Sequence, residues 1–200
     1  NQLRTWQNIY RHNPPLTVSV NISGTQFMQP DLVTQIDHIL RKTGLYGRSL
    51  TVEVTESVLM ENAQYASEML DQLRALDINI SIDDFGTGYS SLAYLRRFQI
   101  DTLKIDYSFV SRMLADEESE QIVRTITTLA GNLGKQTVAE GVETRSQFEA
   151  LEKLHVDRVQ GFFVSPPLTA DRAEALLERT ALSDNHLKKI LHDRLHSSKE

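Results

Sequence analysis

Two hundred residues, 40% hydrophobic and 24% charged, suit one globular domain with a single sizeable core. The formal net charge of −6 argues against a binder of nucleic-acid polymers, which needs a basic patch, but leaves room for an anionic substrate held through a divalent cation. The absence of cysteine excludes disulfides and thiolate metal sites and fits a reducing cytoplasm.

The chain opens in a helical pattern carried by Leu3, Trp6, Ile9 and Tyr10. Apolar, β-branched runs then recur at 16–23, 50–57, 78–85, 102–106, 137–142 and 158–164. Helical patterns near 30–43, 62–76, 89–98, 117–133, 145–154 and 169–180 separate and follow them. In 62–76 the period is plain, with Ala66, Met69, Leu70, Leu73 and Leu76 on one face. Alternation of this kind predicts α/β architecture with a parallel sheet. An open doubly wound sheet gathers its ligands in one crevice, whereas here polar residues end nearly every strand. That distribution needs a ring of strands facing one mouth. A closed barrel of this type has eight strands in about 250 residues. The sequence therefore predicts a TIM-like (β/α)8 barrel truncated to about six βα units, its first two strands lacking. Open strand edges predict aggregation of these residues expressed alone.

The strand ends carry Asn21, then Glu53 and Glu56, the adjacent pair Asp83–Asp84, Lys104 and Asp106, Glu140 and Glu143, and finally Gln160. Any one of them reads equally well as a solvated strand face. One set per strand end reads differently, because a core has no use for so many charges and converging carboxylates repel unless a cation lies among them. Amide and carboxylate oxygens with no strand-end histidine select Mg²⁺ or Mn²⁺. Asp83 and Asp84 could serve two neighbouring ions, an arrangement suited to phosphodiester hydrolysis. Lys104 among these acids stays protonated and could hold an attacking water or developing negative charge. The six histidines fall in helices, loops or the tail and read as surface or packing residues. In 84–91, Gly86 and Gly88 free the backbone and Ser90 or Ser91 could cap the following helix, which makes this segment a candidate lid. Residue types alone point to a metal-dependent barrel hydrolase or lyase, and an enolase-like site remains open at this level.

Six strings occur in order: Val-Asn-Ile-Ser (20–23), Glu-Val-Thr-Glu-Ser (53–57), Asp-Asp-Phe-Gly-Thr-Gly-Tyr-Ser-Ser (83–91), Leu-Lys-Ile-Asp (103–106), Ala-Glu-Gly-Val-Glu-Thr (139–144) and Gln-Gly-Phe-Phe-Val-Ser-Pro-Pro-Leu (160–168). Together they resemble the EAL-domain family of bacterial phosphodiesterases, which linearise cyclic di-GMP to 5′-pGpG. The resemblance implies Asn21, Glu53, Asp83, Asp84 and Glu140 as ligands of two Mg²⁺ or Mn²⁺ ions, with Asp83 bridging. It implies Lys104, Asp83 and Glu143 as catalytic residues and Gln160 and Asp106 as substrate-facing. It implies Glu56 as the tether of the loop after the acid pair, a loop linked in the family to homodimerisation. GGDEF or sensor domains are the neighbours it implies in a parent protein. No predicted strand carries the Glu-Ala-Leu motif that names the family, since the same three letters at 149–151 and 174–176 fall in helical patterns, so the chain by itself is expected to be inactive.

The resemblance assigns 1–180 to an N-terminally incomplete EAL phosphodiesterase domain and leaves 181–200 as a C-terminal helical tail, with Leu187, Ile190, Leu191 and Leu195 at helical spacing. No run reaches the roughly 18 apolar residues of a membrane span and no secretory signal is present. A cytoplasmic location is expected, with any membrane anchor residing elsewhere in a parent. The expected activity is that of a cyclic-guanylate-specific phosphodiesterase. The alternative is a catalytically inactive EAL-type receptor that signals by binding cyclic di-GMP.

Overall fold

In the computed structural model, which describes residues 1–10, 14–88 and 92–181, six parallel strands pair in chain order, β1-β2-β3-β4-β5-β6, into one curled sheet. Their ranges are β1 (Val18–Asn21), β2 (Leu50–Thr55), β3 (Asn79–Phe85), β4 (Thr102–Ile105), β5 (Gln136–Ala139) and β6 (Arg158–Val159). The helices are α1 (Gln2–Ile9), α2 (Gly24–Phe27), α3 (Leu32–Thr43), α4 (Glu56–Glu61), α5 (Ala63–Ala75), α6 (Leu92–Arg97), α7 (Tyr107–Val110), α8 (Glu117–Asn132), α9 (Arg145–Lys153) and α10 (Ala170–Ala181). Strands in sequential parallel order with helices between them make part of a TIM-like barrel, as the alternation of patterns predicts.

Several strands are shorter than their apolar runs. The strand read at 50–57 stops at Thr55, and Glu56 begins α4 instead. The run at 158–164 keeps only two strand residues, because Gly161 at φ 155 turns the chain away. The run at 102–106 ends at Ile105, since Asp106 accepts the backbone N–H of Ser108 and caps α7. The sequence reading contains neither α2, α4 nor α7. Each is a helical segment of four or six residues, too short for a periodic signal.

The two faces of the sheet differ in chemistry. Val52, Val54, Ile80, Ile82, Leu103, Ile105 and Ala139 point outward and bury against helices, where Leu70, Leu73, Val123, Ile126 and Leu151 meet them. In α5 the predicted face is realised, with Ala66, Met69, Leu70 and Leu73 buried. The inner face carries Ser19, Thr51, Glu53, Ser81, Thr102, Lys104, Val138 and Gln160 around a cavity of about 220 Å³. TIM-barrel interiors are usually filled by branched apolar side chains. Here the apolar layer lies outside and the inner lining is polar. β1 has no second strand neighbour among the described residues, and its Val18 and Val20 are 41% and 42% exposed.

This division of labour predicts opposite outcomes for the two faces. Leu103→Ala empties a fully buried outer position and should cost about 2–5 kcal/mol in chemical denaturation. Ser81→Ala removes a buried inner hydroxyl that has no partner in the structure and should leave stability unchanged or slightly raised. A larger loss at Ser81 than at Leu103 would show that the core has been placed on the wrong face.

Candidate metal and active site

Strand parity and register set the site at the C-terminal edge of the sheet. Asn21 lies opposite Glu53, Thr55 opposite Asp83, and Lys104 opposite Val138 on the next strand. Lys104 is the hub. Its Nζ donates to Glu53 Oε2 at 2.6 Å, to Asp83 Oδ1 at 2.9 Å and to Glu140 Oε1 at 2.6 Å. The lysine side chain is only 4% exposed, so these contacts form in a low-dielectric setting.

Consecutive residues on a regular strand point to opposite faces, which would send Asp84 away from Asp83. The structure avoids this with an irregularity in β3, where pairing with β4 shifts between Ile82 and Phe85. Asp84 takes up a left-handed φ of 52°, a conformation that Asp tolerates better than most residues, and its N–H donates to Asp83 Oδ1 at 3.0 Å. As a result Asp83, Asp84 and Glu140 each offer an oxygen within 4.8 Å of the others, a cluster that could hold a metal ion. All three donors are hard carboxylate oxygens, which fits Mg²⁺ or Mn²⁺.

Charge compensation in this cluster is uneven. Burial works to lower the pKa of Lys104, but its hydrogen bonds to Glu140, Glu53 and Asp83 outweigh burial and raise it, so it stays an ammonium. Burial pushes Glu140 up, and Asp83 and Glu53 add to that against the pull of Lys104. The lysine and its partner therefore both shift upward. One ammonium shared among three acids leaves Glu140 undercompensated. Asp84 is also raised, by burial first and then by Asp83 and Asp106 beside it. A further cation in this cluster would relieve both.

The loop after the acid pair is held by Glu56. This residue is 1% exposed, and its Oε2 accepts the N–H of Gly86 at 2.9 Å. Gly86 sits at φ 99°, and a Cβ on Gly88 would come within 2.8 Å of Glu56 Oε1. Loop backbone and carboxylate thus approach as closely as glycine allows. Residues 89–91, the remainder of the candidate lid with its capping serines, lie outside the described residues.

The other predicted site residues do not join the Lys104 network. Asn21 is exposed at the end of β1. Asp106 is half-buried and spends one oxygen on the Ser108 N–H. Gln160 is exposed on the rim of the inner cavity, with its backbone bonded to Ala139 and Val142. Glu143 is exposed on the turn into α9, where its N–H donates to Gln147 Oε1. What the sequence reading overlooks is the β3 irregularity and the contact of Tyr107 with the Gly141 turn. The adjacency of Asp83 and Asp84 was the available signal for the first.

The EAL domain pattern matches residues 1–167. The chain belongs to the EAL domain family. Among its relatives, the EAL chain is 42% identical over 176 residues to the signaling protein YkoW of Bacillus subtilis, covering 88% of this chain and 22% of YkoW. It is 42% identical over 162 residues to the cyclic di-GMP phosphodiesterase NbdA of Pseudomonas aeruginosa, covering 81% of this chain and 21% of NbdA. The chain thus spans about a fifth of the length of these curated relatives. The solved complex of the PaMucR phosphodiesterase with c-di-GMP superposes with a TM-score of 0.83 at 39% identity, covering 86% of this chain and 69% of that one. The EAL domain of Mycobacterium smegmatis DcpA gives 0.82 at 34% identity, covering 89% and 79%. Among the described residues no helix is long and apolar enough to cross a membrane.

A pH experiment follows from the raised carboxyls. A carboxyl held above its unfolded value favours folding when protonated. That contribution is full below the ordinary carboxylate pKa of about 4 and is lost as pH rises through the raised value. Asp84→Asn keeps a residue suited to left-handed φ and cannot ionise. Without divalent metal, its melting temperature should match the unaltered protein at low pH and exceed it increasingly as pH rises through this window. A constant difference across pH would show that the charge of Asp84 is not strained by its neighbours.

Proposed function

We propose that this EAL domain, within its full protein, hydrolyses cyclic di-GMP to linear 5′-pGpG and so lowers a bacterial second messenger. The observation that carries this reading is the Lys104 ammonium gripped by Glu53, Asp83 and Glu140, beside a carboxylate cluster fit for a hard cation. NbdA and the PaMucR complex, both named for cyclic di-GMP, supply the substrate class.

In this reading Asn21, Glu53, Asp83, Asp84 and Glu140 would hold two Mg²⁺ or Mn²⁺ ions. The ions would supply positive charge at the phosphate oxygens and acidify the attacking water. Lys104, fixed by its three carboxylates, holds that water or the charge that develops on phosphorus. Water adds to phosphorus, the P–O3′ bond breaks, the 3′-oxygen leaves as a hydroxyl after taking up a proton, and one macrocyclic link opens. Glu143 lies at the mouth as a polar group near the reacting phosphate, and Gln160 and Asp106 face the substrate. Glu56 keeps the loop after Asp84 in register, and so orients both aspartates.

The domain boundaries belong to the same proposal, with 1–180 as the EAL unit and 181–200 as an appended tail. Of that tail, residues 182–200 lie outside the described residues. A cytoplasmic site of action, GGDEF or sensor neighbours and homodimerisation through the loop after Asp84 complete the reading.

The test is incubation of the full-length protein with cyclic di-GMP and Mn²⁺, with chromatography of the products. Accumulation of pGpG is expected, and Asp83→Asn should abolish turnover while retaining measurable cyclic di-GMP binding. Binding without turnover in the unaltered protein would replace this reading with a receptor role. Full activity in Asp83→Asn would remove the two-metal arrangement.

A further inference from the structure

Glu140 lies just past the end of β5, so something other than the strand ladder must fix it. Three backbone contacts begin the job. Its own N–H donates to Ile105 O at 3.1 Å, Val142 N–H donates to Gln160 O at 3.0 Å, and Phe163 N–H donates to Val142 O at 2.9 Å. These tie the segment to the strands or loops on either side, but Gly141 between them makes no such bond among the described residues. It adopts φ 66°, open mainly to glycine. A Cβ built there would run into the ring of Tyr107, meeting Cε2 and Cγ at 3.0 Å and Cδ2 closer still. The ring therefore lies directly against the Gly141 Cα, and glycine is required twice over, by conformation and by space.

Tyr107 is badly placed for an ordinary packing residue. It is 49% exposed, at the start of α7 and immediately after Asp106, whose charge bears on Asp84. One short segment thus reaches both sides of the acidic cluster: Asp106 towards Asp84 on β3, Tyr107 towards the turn that carries Glu140.

We propose that Tyr107 is a positioning residue for the metal cluster, its ring pressing the Gly141 turn into the conformation that aims Glu140 at Asp83 and Asp84. This rests on the reading of those three carboxylates as metal ligands. The ring makes the contact, so the hydroxyl is dispensable. Because Tyr107 is half-exposed, its removal costs the fold little while freeing the turn.

The experiment is Mn²⁺ binding to the full-length protein, read from the electron paramagnetic resonance of free ion, beside melting curves without metal. Tyr107→Ala should weaken Mn²⁺ about tenfold, the lower end for residues that orient ligands, with its metal-free melting temperature nearly unchanged. Tyr107→Phe should bind as the unaltered protein does. Gly141→Ala should also weaken Mn²⁺, and the double variant should lose less than the sum of the two single losses, since both disturb one contact. Equal Mn²⁺ affinity in Tyr107→Ala, a fall in melting temperature without loss of affinity, or loss of affinity in Tyr107→Phe would each overturn the proposal. If the unaltered protein binds no Mn²⁺, the metal-site reading itself fails and takes the proposal with it. Normal Mn²⁺ binding with equal affinity in Tyr107→Ala sinks the positioning role alone.

Discussion

A single ammonium shared by three carboxylates governs this structure. Lys104 reaches across the inner face of the sheet from β4 to Glu53 on β2, Asp83 on β3 and Glu140 after β5. Four adjacent strands are thereby joined by charge as well as by backbone hydrogen bonds. Buried ions are tolerated only when paired and hydrogen-bonded, and three acceptors use the full donor capacity of the lysine. The same sharing leaves more negative than positive charge in place, and burial first, with the neighbouring carboxylates second, shifts Glu140 and Asp84 upward. Asp83, Asp84 and Glu140 are thereby a cluster that could hold a metal ion.

The remainder of the fold serves this arrangement. A sheet with charges on its inner face must find its apolar burial on the other. The outward residues of β2, β3 and β4 supply it against α5 and α8. The irregularity in β3 lets two consecutive acids face one mouth, at the expense of a left-handed aspartate. Glu56 and the glycines it approaches then keep the loop after those acids close to the sheet.

Much of this was legible in the residues themselves. Period-two alternation in 50–55 and 79–83 put apolar side chains on one face and Glu53, Ser81 and Asp83 on the other, so both the parallel sheet and the convergence of polar strand ends could be read directly. Lys104 stood out because a lysine between Leu103 and Ile105 has no reason to be in an apolar strand unless it meets acids. Other features were hidden. Short helices such as α4 and α7 span too few residues to show a period, so the apolar run at 50–57 places Glu56 in a strand where it in fact opens a helix. The β3 irregularity and the Tyr107–Gly141 contact depend on long-range packing that no local pattern encodes.

The most direct measurement is the unfolding free energy of Lys104→Met without metal and with Mn²⁺. Methionine fills similar space but leaves Glu53, Asp83 and Glu140 facing one another without a cation. If the shared ammonium is the organising interaction, metal-free stability should fall by about 3–5 kcal/mol, as expected when one member of a buried ionic network is removed. Mn²⁺ should recover part of that loss and stabilise the variant more than it does the unaltered protein. A Lys104→Met protein as stable as the original without metal would contradict the account.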